Sequence, residues 1–129
     1  MVMSCSAKNH ASSEQTACLT YLRQIYREIT FEYLVENQDV FPPTGYPVSP
    51  STCPAAVPSS RSRYIFNSDL AGTAASSITE PSNVPLVYES GYNHGRKRRV
   101  LMVNGEVRDL TPQEWAQVRT VRPSAGVRP

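Results

Sequence analysis

Val100-Leu101-Met102-Val103-Asn104-Gly105-Glu106-Val107-Arg108-Asp109-Leu110 is the stretch on which the reading of this chain turns. The apolar run Val100 to Val103 and the strand candidate Glu106 to Leu110 flank an Asn-Gly pair. A two-residue loop of type I′ needs positive φ at both central positions, which Asn and Gly tolerate, so the pattern predicts a β-hairpin closing at Asn104-Gly105. Directly behind it stands Thr111-Pro112-Gln113-Glu114-Trp115. Thr111 and Glu114 have the spacing of a capping box, in which each side chain accepts from the other's backbone N–H. Pro112 falls at the first helical position, where no N–H is needed. A short helix over 112–119 is therefore expected to follow the hairpin.

Working back from the hairpin, Pro85-Leu86-Val87-Tyr88-Glu89 and Arg63-Tyr64-Ile65-Phe66 are two further strand candidates, with a turn-like stretch from Asn67 to Ala75 between them. Residues 40–63 are rich in proline and serine and carry no periodicity. A loop that long inside a compact domain needs pinning, and Val40, Phe41, Tyr46 and Cys53 are the candidate pins. Residues 12–36 read as one long helix, capped by Ser12 or Ser13. Its apolar stripe runs through Cys18, Leu22, Ile25, Ile29 and Tyr33, widened by Leu19, Tyr26 and Leu34, with charged residues mainly on the other faces. Asn37 is the expected stop, and Pro42-Pro43 forbids continuation.

These elements define an α+β fold. A long N-terminal amphipathic helix packs on a small antiparallel sheet, with a proline-rich loop and a short C-terminal helix, because neither the helix stripe nor the sheet face buries itself alone. The 129 residues suit one domain over 12–120, with an N-terminal arm over 1–11 and a basic tail over 121–129. A net charge of +2 does not call for a nucleic-acid partner. No apolar run approaches the roughly 20 residues of a membrane-spanning helix. Met1 to Gln15 is polar, without the apolar core of a secretory signal.

The order of parts resembles the type IV pilin-like and pseudopilin family. The C-terminal half is similar to the prepilin-associated domain named for a His-x9-Asp-Gly pattern: His94 is followed, after nine residues, by Asn104-Gly105. Glu80-Pro81-Ser82, Pro85 to Glu89, Asn93-His94-Gly95, Cys18-Leu19-x-x-Leu22-Arg23-Gln24-Ile25, Phe41-Pro42-Pro43 and Cys53-Pro54 fit the same family, over about Ala17 to Trp115. The chain departs from the pattern in having Asn104 for the aspartate, Glu106 where a second histidine is common, and no hydrophobic N-terminal stem. The resemblance implies a structural subunit of an extracellular or cell-surface filament, self-assembling as a homopolymer, with no enzymatic activity and no small-molecule substrate. Without a stem, the N-terminal arm, tyrosines and sheet edges would supply the contacts. A minor pseudopilin of a secretion machine is the variant reading.

Candidate site residues are few. His94 is either a ligand or general base, or a loop residue that hydrogen-bonds locally. Asp69, Glu80, Glu89 and Asp109 are the carboxylates for a calcium site of the kind some pseudopilins carry, although no compact ligand loop surrounds them; no cofactor is expected. In an exported protein Cys18 and Cys53 would form a disulfide stapling loop to helix; the alternative is two buried thiols. Arg96-Lys97-Arg98-Arg99 is the densest charge cluster. It is either a binding patch for an acidic partner, making the chain a soluble binding module, or a solvated strand start in which Arg98 or Arg99 pairs across the sheet. Nucleic acid is not the expected partner, since no aromatics interleave the cluster.

Overall fold

A computed structural model describes residues 17–49, 63–92 and 94–119. The chain is α+β: an N-terminal helix of 20 described residues, a four-stranded antiparallel sheet and a short C-terminal helix. Helix α1 covers residues 17–36. Strands β1 (Tyr64–Phe66), β2 (Pro85–Glu89), β3 (Arg98–Met102) and β4 (Val107–Leu110) follow, and helix α2 (Pro112–Arg119) closes the described chain. The strands lie in sequence order, each antiparallel to the next. The predicted residues 12–16 of the first helix, the arm over 1–11, the loop residues 50–62 and the tail over 121–129 lie outside the described residues.

Helix α1 is not α-helical throughout. Glu28–Tyr33 form a π-helical stretch in which Leu34 N–H donates to Ile29 O, five residues back. The buried positions are Cys18, Leu22, Ile25, Ile29 and Leu34. Steps of three and four give way to a step of five across the π-turn. Leu34 therefore takes the core position that uninterrupted periodicity assigns to Tyr33. Tyr33 stays half-buried and packs edge-on against Tyr46, with ring centroids 5.4 Å apart. The helix ends at Glu36. Asn37 Nδ2 donates to Tyr33 O at 2.8 Å, and Gln38 and Asp39 reverse the chain at positive φ.

The described start of the proline-rich segment is pinned much as its apolar residues suggest. Val40 bridges to Ala74, and Phe41 and Val48 are buried. The Tyr46 hydroxyl donates to Glu28 Oε2 at 2.9 Å. Burial first, then Glu28, pushes the Tyr46 phenol up to about 12.

The sheet is covered on both faces. One face meets α1 in the main core, where Leu22, Ile25 and Ile29 pack with Phe66, Leu86, Val87 and Leu101. The other face carries Val100, Met102 and Leu110, over which Trp115 and Val118 of α2 lie. The capping box that starts α2 is present: Thr111 N–H donates to Glu114 Oε1 at 2.9 Å, and Glu114 N–H to Thr111 Oγ1 at 3.2 Å.

The hairpin between β3 and β4 forms where expected, but its turn differs. Gly105 N–H donates to Met102 O and Met102 N–H to Glu106 O, so the loop is the three residues Val103-Asn104-Gly105. Gly105 has φ +94, while Asn104 is not among the residues of positive φ. This is the three-residue hairpin with a glycine bulge rather than a type I′ turn. The Tyr26 ring of helix α1 lies against Gly105, with ring atoms 3.0 and 3.2 Å from where a Cβ would stand. The type I′ geometry occurs one connection earlier. His94 and Lys97 exchange both backbone hydrogen bonds at 3.1 Å around Gly95 and Arg96, which have φ +63 and +65.

Candidate functional site

Period-two alternation and antiparallel register together string four polar side chains across the sheet. Tyr64 pairs with Glu89, and Arg99 with Asp109. Arg99 N–H donates to Glu89 Oε1 at 2.9 Å, joining the two halves. The row Tyr64, Glu89, Arg99, Asp109 thus runs from β1 to β4 on the face that meets α1.

Cys18, in the first described turn of α1, comes down on this row. Its Sγ lies 2.9 Å from the Tyr64 hydroxyl and 3.8 Å from His94 Nε2. His94 stands at the base of the type I′ turn between β2 and β3, which folds it back toward the strand it has just left. Its Nε2 lies 2.9 Å from Glu89 Oε1 and 3.0 Å from Oε2. Cys18 and Glu89 are fully buried and His94 nearly so. Cys53, the partner expected for Cys18 in a disulfide, lies outside the described residues.

Arg99 and Asp109 close the row with two hydrogen bonds, 2.7 Å from Nε and 3.0 Å from Nη2. Burial works against the Arg99 charge, but the hydrogen bonds and charge of Asp109 outweigh it and raise its affinity for the proton. Reciprocally, the hydrogen bonds from Arg99 hold the Asp109 carboxyl below the ordinary carboxylate value.

A cysteine nucleophile is activated by a base that a third group orients. In that arrangement the orienting group engages one ring nitrogen and the nucleophile the other. Here a single nitrogen, Nε2, faces both the thiol and the carboxylate, and the sulfur has no solvent access. That geometry suits ligation or structural bonding. The four carboxylates considered for calcium do not converge. Glu80 accepts from Asn83, Glu89 faces His94, Asp109 faces Arg99, and Asp69 sits on the 3-10 turn Ser68–Leu70. Among the described residues, Cys18, Glu89 and His94 are the group whose candidate ligand atoms all lie within 4.8 Å of one another.

The basic cluster is divided by the strand it enters. Arg96 and Lys97 are exposed on the turn. Arg98 and Arg99 are successive strand residues and point to opposite faces. Arg99 joins the buried row. Arg98 lies over the rings of Tyr92 and Trp115, each 4.6 Å from centroid to Cζ, and 5.6 Å from that of Tyr88. Aromatic faces attract a guanidinium in this way. Asn104 and Gly105, the other motif residues, serve the hairpin turn, where Asn104 Oδ1 accepts from Glu106 N–H at 3.0 Å.

Sequence reasoning did not pair His94 with Glu89. The signal was available: a strand-terminal glutamate five residues before a histidine, with a glycine turn between, brings the two together when the chain doubles back. Comparison with protein-family models, with curated proteins and with solved structures returned no match to this chain.

Proposed function

We propose that this chain is a structural subunit of an extracellular, pilin-related filament that assembles with copies of itself, and that it is not an enzyme. The observation that carries this reading is the outer side of α1. Phe31 and Val35 are 66% and 72% exposed. They stand four residues apart and so share one side of the helix. Large apolar groups held in water beside a fully packed stripe are surface that a neighbouring subunit would cover. The order of parts supports the reading, as does the passage from His94 to Gly105, which forms the two tight turns bracketing β3. The buried polar row then serves to lock helix to sheet. No described helix is long and apolar enough to cross a membrane.

Electron microscopy of the chain purified without denaturation tests the proposal. Regular filaments are expected. The double variant Phe31→Glu/Val35→Glu should keep the circular-dichroism spectrum of the parent and yield only discrete particles. Discrete particles from the parent at high concentration would sink the filament reading and turn attention to Arg96 and Lys97 as contacts for an acidic partner.

A further inference from the structure

We propose that Cys18 Sγ, Glu89 carboxylate and His94 Nε2 are the ligands of a structural site for a zinc-class divalent transition metal, tying α1 to β2 and the turn that follows it. The donor set selects the metal. One thiolate, one imidazole and one carboxylate suit zinc, whereas calcium and magnesium want shells of oxygen donors.

The distances fit. Tetrahedral zinc with bonds of about 2.0 Å to nitrogen and oxygen and about 2.3 Å to sulfur separates its ligands by roughly 3.3 Å for N and O and 3.5 Å for N and S. The corresponding separations here are 2.9 and 3.8 Å. Both lie within a few tenths of an ångström of the requirement, and all three ligand atoms lie within 4.8 Å of one another, so rotation of the His94 and Cys18 side chains that also draws Sγ toward the Glu89 carboxylate completes the site.

Charge and surroundings favour it too. A thiolate and a carboxylate cancel a divalent cation, and Arg99 with Asp109 adds a neutral pair beside it, so the buried assembly carries no net charge. Ligands of a metal are themselves held by hydrogen bonds from outside the coordination sphere. Arg99 N–H supplies this for Glu89 Oε1. The Tyr64 hydroxyl lies 2.9 Å from Sγ, within reach of donating a hydrogen bond to a thiolate there. Loading releases the thiol proton to solvent, moves the proton that Nε2 donates to Glu89 onto Nδ1 by exchange with solvent, and replaces that hydrogen bond by one bond from Nε2 and one from the carboxylate to the metal. No atom changes oxidation state. The site excludes a Cys18–Cys53 disulfide, because one sulfur cannot serve both.

The test uses the full chain, kept reduced, stripped of metal with a chelator and titrated with Co²⁺ as a spectroscopic substitute for zinc. One equivalent should give a thiolate-to-cobalt charge-transfer band. Cys18→Ser should abolish the band, His94→Gln and Glu89→Gln should weaken binding at least about tenfold, and Cys5→Ser/Cys53→Ser should leave it intact. A second readout needs no variant: zinc should raise the unfolding temperature of the parent chain progressively with free metal, and a chelator should reverse the rise. No band at saturating cobalt together with an unmoved unfolding temperature overturns the proposal. So does a band that survives Cys18→Ser and vanishes in Cys5→Ser/Cys53→Ser.

Discussion

Asp109 is the most exposed member of the polar row, and Arg99 depends on it for compensation of a largely buried charge. The Asp109 side chain is 36% exposed and that of Arg99 is 8%. Asp109→Asn should therefore lower stability at neutral pH by about 1–3 kcal/mol, with solvent screening keeping the loss below that of a fully buried pair. The sign of the pH effect follows from the direction of the shift. The folded carboxyl titrates below its unfolded counterpart, so its contribution is complete above the ordinary carboxylate range and disappears as pH falls through the folded value. Urea unfolding at neutral pH and at about pH 3 should show the gap between parent and variant shrinking in acid. An equal gap at both would mean that shape, not charge, sets the contribution. Two turn residues make a contrasting pair. Gly105→Ala forces a side chain to φ +94 and against the Tyr26 ring, and should cost about 1–3 kcal/mol. Arg96→Asn puts a residue that tolerates the left-handed region at φ +65, and should raise the urea midpoint by a gain of up to about 1 kcal/mol.

Within α1, the π-turn is the element-scale feature with the clearest consequence. It adds one residue between Ile29 and Leu34, and Phe31 is the exposed residue it carries outward. Deleting Phe31 places the next core leucine four residues after Ile29, in register for an ordinary α-helix. The shortened chain should fold with an unbroken helix and an unfolding temperature no lower than the parent's, read by circular dichroism. An unfolded product would show that the widened turn, not the stripe, sets the packing. The same turn explains a limit on legibility. Cys18, Leu22, Ile25 and Ile29 are readable from period alone, but no local signal announces a five-residue step, so periodicity puts Tyr33 at the centre of the stripe and Leu34 at its margin, the reverse of their burial. The start of helix α2 was legible because Thr111, Pro112 and Glu114 each satisfy a stated backbone need. The β3–β4 hairpin was legible as a hairpin, while its turn type was not, since Asn-Gly serves either geometry. Strand β3 starts at Arg98, two residues before its apolar run, because each arginine finds a partner on its own face.

Among the described residues, the sheet is a middle layer between two helices, and two exposed regions are of unlike kinds. The outer side of α1 offers apolar groups, and the turn at Arg96 and Lys97 offers cations. Contacts of the first kind hold or tighten as salt rises, and contacts of the second weaken. Filaments held through Phe31 and Val35 should keep their sedimenting mass on moving from low to high salt, and dissolution at high salt would point to the basic turn instead. The candidate site was the least legible feature of the chain: Cys18 and His94 stand 76 residues apart in sequence, and only the completed fold brings them together. That separation bears on how the molecule acquires its shape. Strands β2, β3 and β4 are neighbours joined by tight turns and close through local contacts, which form quickly, whereas docking α1 requires closing a long loop. The order expected is meander first and helix last, so the thiol of a nascent chain stays open to reagent until the final event. Pulsed thiol labelling of the Cys5→Ser/Cys53→Ser chain during refolding should show Cys18 becoming protected only in the slowest phase, after the sheet has formed. Until that moment the chain is exposed to whatever oxidant or metal its surroundings hold.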